Sequence, residues 1–265
     1  MLLNIVHTTR YNFDTPVSYG LQQIRQTPQS GHGQTVLNWK TMITGGHKEL
    51  QYSDHFDNLV ELIQFEGNVE ALEIQSEGTV EVTQKNGVIG AHTGRTPLWY
   101  FRTATALTKP GGGIKALVQK SKGDSQLGQL HKLSDLIGDA VAYETGSSTS
   151  ESTAETAIRE GKGVCQDHAH IFVAAARELG HPARYVSGYL MMDDRIDQDA
   201  THAWAEAHVD GLGWVGFDVS NAICPDERYV RVATGLDYTG AAPVTGMTFG
   251  GSGESLSVDI AVSQQ

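Results

Sequence analysis

The sequence holds only two cysteines in 265 residues, Cys165 and Cys224. That is too few for the disulfide framework of a small secreted domain. Nothing approaches the ~18 consecutive apolar residues of a membrane span. The first residues, Met1 to His7, lack a basic n-region and a long apolar h-region, so no signal peptide is expected. Basic charge is also scarce. Nineteen Lys and Arg face 31 Asp and Glu, a formal net charge of −12, which argues against a nucleic-acid or anionic-membrane partner. Despite 30 glycines, no stretch matches the GxxxxGK[ST] or GxGxxG phosphate loops, and no CxxC or HExxH metal motif occurs, so no cofactor and no metal are expected. Internal repeats are absent. What remains is ordinary globular material, 39% hydrophobic and 19% charged, of a reduced, cytoplasmic type.

The informative stretch runs from Gly163 to Asn221. Cys165 opens a helical stripe of Ala169, Phe172, Ala176 and Leu179, spaced i, i+4, i+7. Gly163 permits a tight entry, and Gly180-His181-Pro182 ends the helix. At the first turn the backbone N–H groups are unpaired and the helix dipole is positive, which favours thiolate over thiol. Being on the stripe, the Cys165 sulfur is expected to face the interior. Alanines 174–176 would let this helix lie close against a sheet.

Two strands follow. His202, Trp204, Glu206 and His208 alternate with Ala203, Ala205, Ala207 and Val209. Trp214, Gly216 and Asp218 alternate with Val215 and Phe217, and Asp210-Gly211 signals a hairpin turn. A connection spanning 209–213 pairs residue 208 with 214 and 202 with 220. His202 and Asp218 are then diagonal neighbours on one face, roughly 7–8 Å apart along the backbone, within reach of a His–carboxylate hydrogen bond. A loop of even length would put them on opposite faces.

A thiolate at a helix start, an imidazole on a strand and a carboxylate to orient it are the parts of a Cys-His-Asp triad. The stretch resembles the core of the transglutaminase-like superfamily in its bacterial form. The matching segments are Gly163-Val164-Cys165-Gln166-Asp167, Ala183 to Tyr189, His202-Ala203-Trp204-Ala205-Glu206 and Gly213 to Asp218. The resemblance implies Cys165 as nucleophile, His202 as base and Asp218 as orienter. It also implies a papain-like α+β fold, in which a helix bearing the cysteine packs on an antiparallel sheet.

Around this core other residues carry weaker signals. Gln166, Asp167, His170 and Trp204 are possible oxyanion donors or substrate-lining groups. For each the plain alternative is structural: a first-turn helix charge for Asp167, packing for Trp204 and Trp214. His168 and His170 read as structural or substrate-lining, since 165, 168 and 170 do not share one helix face. Glu206 and His208 share the face of His202 and either line the cleft or form a solvated strand end. Four aspartates between Met191 and Asp199 suggest a solvated loop or a preference for a basic substrate. A Cys165–Cys224 disulfide is compatible with the sequence and would silence the nucleophile.

Upstream, residues 1–108 read as an N-terminal β-sandwich-like domain, with turn punctuation at 14–16, 31–33, 45–46 and 86–87. It resembles the β domain that precedes the core in bacterial relatives. Asp57, where relatives commonly carry glycine, is read as a turn. Lys109 to Gly113 is the expected boundary, and 109–265 the catalytic domain. Helical periodicity follows at Ile114, Leu117 and Val118 and from Leu127 to Val141. Ser152 and Glu155 have capping-box spacing, and Leu256 to Val262 alternates as a strand. The expected activity is thiol acyl transfer on a peptide or protein amide. Hydrolysis ranks first and glutamine transamidation second, and a non-catalytic binding module on the same fold is the rival.

Overall fold

A computed structural model describes all residues, 1–265. The N-terminal half is a curled antiparallel sheet. β1 (Leu2–Ile24), β2 (Gln34–Thr44), β3 (Gly46–Ser53), β4 (Leu59–Phe65) and β5 (Val69–Val82) belong to it, and β6 (Val88–Gly90) leaves it. A short 3₁₀ turn at Leu98–Arg102 leads into α1 (Gly112–Lys120) and α2 (Gln126–Ala140). β7 (Ala142–Tyr143), α3 (Ala154–Glu160) and β8 (Lys162–Gly163) deliver the chain to α4 (Cys165–Glu178). The strands β9 (Ala183–Leu190), β10 (Asp197–Gln198), β11 (His202–Val209), β12 (Gly213–Phe217) and β13 (Tyr229–Gly235) come next. α5 (Tyr238–Ala241) and a long final strand, β14 (Val244–Gln264), complete the chain.

The fold is α+β, as the sequence implied. The core sheet has the order β13-β9-β11-β12-β6 and is antiparallel throughout. One face is covered by helices: Ala205, Ala207, Val209, Val215 and Phe217 pack with Phe172 and the alanines 174–176 of α4 in a single apolar cluster. Small side chains on both surfaces allow the close approach. The other face meets the N-terminal sheet, where Leu3, Ile5, Val80 and Val82 pack with Tyr189, Val230 and Val232. Both sheet faces are thus dry, which explains why β9, β11 and β12 are buried almost throughout.

The two halves exchange strands. β6 pairs with β12 of the core, whereas β14 runs antiparallel to β1 from Leu3↔Gln264 to Ile24↔Val244. The sheets therefore do not divide at one point in the sequence. β14 also begins earlier than the expected Leu256. Its glycines at 250, 251 and 253 take φ of +76°, +79° and +63°, the left-handed backbone that glycine adopts freely, beside a register shift at Val17/Tyr19. Glycine there weakens the alternation that marks a strand, so this part of β14 is silent in the sequence.

The capping-box expectation is corrected. The N-cap of α3 is Thr153, whose hydroxyl accepts from Thr156 N at 3.1 Å, and Ser152 instead accepts from Thr149 N. Glu155 caps a different helix: its carboxylate accepts from the backbone N–H groups of Gly111, Gly113 and Ile114 at the start of α1. Asp57 does sit in a turn, with φ +64°, and pairs with Arg95. No helix is long and apolar enough to cross a membrane.

Candidate active site

The hairpin register is the one the loop parity required. Ala205 lies opposite Phe217, and His208 opposite Trp214. His202 opens β11, and Asp218 follows the last residue of β12, so both side chains emerge at the same end of the core sheet. Their hydrogen bond, His202 Nε2 to Asp218 Oδ2, is 2.7 Å long and almost wholly buried. α4 brings its first residue to that end. Cys165 and Cys224 are both free thiols, each half-buried.

Asp218 Oδ2 also accepts from Asn221 Nδ2 and from the Tyr229 hydroxyl, both at 2.7 Å. Burial alone would raise this carboxyl, but the bonds from His202, Asn221 and Tyr229 hold it below the ordinary aspartate value. On His202 burial works downward. The hydrogen bonds and negative charges of Asp218 and Cys165 outweigh it and push the imidazole up to about 10. With Nε2 given to Asp218, Nδ1 is the ring nitrogen left for the thiol. The three expected residues are brought together, and the surroundings favour the charged form of His202.

Asn221 and Tyr229 were not singled out from sequence. A signal for Asn221 exists, because an Asx residue three positions after Asp218 suits a local turn, and its backbone N–H does return to Asp218 Oδ1 at 3.3 Å. Tyr229 gave none, since only the β9–β13 pairing carries it to the carboxylate. Trp204, 3% exposed, stacks beside the His202 ring and meets Tyr229 edge-on, so it packs the site and does not line it.

Asp167 and His170 do not line a cleft either. Asp167 is fully buried and accepts from Val164 N and Ser148 Oγ, closing the first turn of α4. His170 accepts from Tyr238 N, and burial lowers it to about 4, which keeps it neutral. Gln166 reaches only the Ser150 carbonyl, at 3.4 Å. His168 ties the site together from behind. Its Nε2 donates to Val141 O and its Nδ1 accepts from Ser220 Oγ, so the cysteine helix is fastened to the turn that carries Asp218 and Asn221. Both ring nitrogens are occupied, so His168 offers no metal ligand.

A cleft of about 420 Å³ opens beside His202. Tyr143, Tyr229, Met191, Met192 and Asp193 help to line it. Tyr143 lies within electrostatic range of both Cys165 and Asp218. The parallel β7–β8 pair sets it there, at Tyr143↔Gly163, two residues before the cysteine. Asp193 is matched by Arg228 at 3.2 Å, so the acidic loop is partly neutralised where it meets the cleft. Glu206, expected in a cleft or in solvent, is fully buried between Arg184 and Arg231.

Comparison with known proteins shows the family and the fold. Residues 3–81 match the bacterial transglutaminase-like N-terminal region, and residues 115–219 match the transglutaminase-like superfamily. An uncharacterized protein of Mycobacterium leprae is 25% identical over 277 aligned positions, covering 99% of this chain and 98% of that protein. An uncharacterized protein of Mycobacterium tuberculosis is 36% identical over 143 positions, which span 50% of this chain and 45% of the relative. A crystal structure of a cysteine protease candidate from Cytophaga hutchinsonii superposes with a TM-score of 0.79 at 21% identity, covering 100% of this chain and 91% of that one, and so shares its fold. With the two family matches in order along one chain, this protein belongs to the transglutaminase-like superfamily and carries that family's bacterial N-terminal region.

Proposed function

We propose that the protein is a cysteine-dependent acyl-transfer enzyme that hydrolyses an amide bond in a peptide or protein through a thioester on Cys165. The observation that carries this is the buried 2.7 Å bond between His202 and Asp218, made at the end of the sheet to which α4 brings the cysteine. The Cys165 sulfur attacks the carbonyl carbon, and the C–N bond breaks as His202 gives its proton to the leaving amine. Asp218 fixes the ring's orientation and stabilises the imidazolium. Water activated by the now neutral His202 then cleaves the thioester, releasing the acid and restoring the thiol. An amine entering in place of water would give transamidation. The Cys165 backbone N–H, a first-turn donor, is the first oxyanion donor we favour, and the Tyr143 hydroxyl is the second.

The test is incubation of the protein with a peptide mixture, followed by intact-protein mass spectrometry for an acyl adduct on Cys165 and product analysis with and without an added primary amine. Cleavage products and a trapped thioester are expected, both lost in Cys165→Ala and in His202→Ala. Activity surviving in Cys165→Ala refutes the assignment. A peptide-bound but uncleaved state in the native chain points to the binding-module rival. Two free thiols and no disulfide fit the cytoplasmic setting we favour.

A further inference from the structure

A second cavity, about 350 Å³, lies between the N-terminal half and the outer face of the core sheet. It is not the cleft beside His202. Its wall includes Arg184, to which Glu206 is the β-pair partner, and Glu206 stands four residues beyond His202, about 13 Å along the strand. Walls come from both halves of the molecule: His32 and Asp57 on one side, Arg184, Trp214 and Arg231 on the other.

The charges there do not balance. Glu206 is shared by two guanidiniums, Arg184 Nε at 2.6 Å and Arg231 Nε at 3.1 Å. One carboxylate and two cations leave this trio at net +1. The other acid on the wall, Asp57, is already matched by Arg95 at 2.8 Å. His92 accepts from Trp214 Nε1 at Nδ1 and donates from Nε2 to Thr96 O, so its ring nitrogens are taken. The amides on the wall are taken as well. Gln34 bonds the backbone of Gln29 and Arg231, and Asn58 bonds Asp54 and both backbone groups of Thr234.

What lacks a partner is guanidinium. Arg184 lies over the Trp214 ring, its Cζ 3.9 Å from the centroid, and its Nη2 is buried with no acceptor. Arg231 uses only Nε on Glu206. A buried charged donor without an acceptor is costly, and planar guanidiniums fixed by stacking and by a shared carboxylate are preorganised for an oxyanion. The field reaches the rim: partial burial, and then the Arg231 charge, hold His32 below its ordinary value. His32 itself has φ +55°, a left-handed backbone for a non-glycine residue, the kind of local strain that is kept at ligand sites.

We propose that this cavity is a binding site for a small oxyanion, a carboxylate or a phosphate group, held by Arg184 and Arg231 at the junction of the two halves. A bound anion completes the charge balance around Glu206 and couples the N-terminal sheet to the core. It takes no part in the chemistry at Cys165, so the site stands or falls apart from the proposed activity.

The experiment is isothermal titration of the full chain at low ionic strength with inorganic phosphate and, separately, with succinate. Saturable one-to-one binding of at least one is expected, weakened roughly tenfold or more by Arg231→Gln. Tighter phosphate binding identifies a phosphate-bearing ligand, and tighter succinate binding a carboxylate. Because Arg231→Gln leaves Glu206 with one partner and can unfold the protein, His32→Asp is the second variant. It puts negative charge on an exposed rim residue whose backbone aspartate tolerates, and it should weaken binding to a similar degree with an unchanged near-UV circular dichroism spectrum. No saturable binding of either anion at millimolar concentration overturns the proposal, and so does binding that His32→Asp leaves unaltered.

Discussion

The raised imidazole of His202 can be measured without knowing a substrate. Of the seven histidines whose values are displaced, six are lowered, and His202 alone is raised, to about 10. Against a reference of about 6.5 the shift corresponds to about 5 kcal/mol of preference for the charged ring. It arises because the hydrogen bonds and charges of Asp218 and Cys165 outweigh the opposing effect of burial. A hydrogen bond to a charged group contributes about 1.5–3 kcal/mol, or about 1–2 pH units. Cys165→Ala should therefore bring the His202 titration down by about 1–2 units, and Asp218→Asn by a similar or larger step. Ring-labelled histidine NMR over pH 5 to 11 reads this directly. The sign for stability follows. A raised histidine stabilises the fold fully below the unfolded value of about 6.5, and that contribution disappears as pH climbs toward about 10. Asp218 is depressed, so its contribution is present above about 4 and is lost as pH falls through its folded value. The stability gap that His202 creates between the native chain and Cys165→Ala should thus be at full width through neutral pH and close on the alkaline side, as pH rises toward about 10. A His202 resonance that titrates near 6.5 in all three proteins would show that the three groups are not coupled.

Tyr229→Phe removes one of three donors from Asp218 Oδ2 without changing shape. Amide hydrolysis, or Cys165 alkylation at neutral pH, should slow by about 10-fold, with stability reduced by about 1.5–3 kcal/mol. Glu206→Gln leaves buried Arg184 and half-buried Arg231 without their counter-charge and should cost about 3–5 kcal/mol in urea unfolding; a loss under about 1 kcal/mol would mean that the trio is already neutralised. Glu155→Ala strips three backbone N–H groups at the start of α1 of their acceptor. About 1–2 kcal/mol should be lost, against little change for Ser152→Ala, the residue with the capping-box spacing.

How far the sequence reached depended on whether a property was local. The period of β11 and an odd-length connection, taken as 209–213, placed His202 and Asp218 on one face, because a two-residue repeat leaves only one binary choice and the turn decides it. The start of α4 was equally legible, since a glycine entry and an apolar stripe are features of adjacent residues. Asp167 stayed open between two roles for a related reason. A carboxylate in a first turn can serve a ligand or its own helix, and only the position of Val164 N, 2.8 Å away, separates these. Glu155 shows the same failure at longer range. Its spacing from Ser152 satisfied a local rule, but α1 lies against α3 and offers three unpaired donors at once, so the non-local acceptor role wins.

Apart from Asn221, which returns to Asp218 within a local turn, the unforeseen site partners arrive through tertiary pairing. Tyr229 reaches Asp218 because β13 pairs with β9, Ser220 is met by His168 from the cysteine helix, and Arg184 faces Glu206 across the β9–β11 ladder. Alternating polar residues on β11 read as a solvated or cleft-facing side only while the sheet is taken to have one wet face. The N-terminal sheet covers that face, and the same pattern then describes a buried row. The row runs from His202, bonded to Asp218, past Trp204 packed over Gly188, to Glu206 between two arginines. One strand therefore holds the proposed base at one end and, at the other, the single carboxylate that two guanidiniums from β9 and β13 share. Trp204 has almost no room to move, because an added Cβ at Gly188 would lie 2.7 Å from its ring and 2.2 Å from Val230 O. Gly188→Ala should consequently disturb both ends together, lowering the His202 titration and weakening anion binding in one protein. A variant that shifted only one of the two would show that Trp204 does not link them.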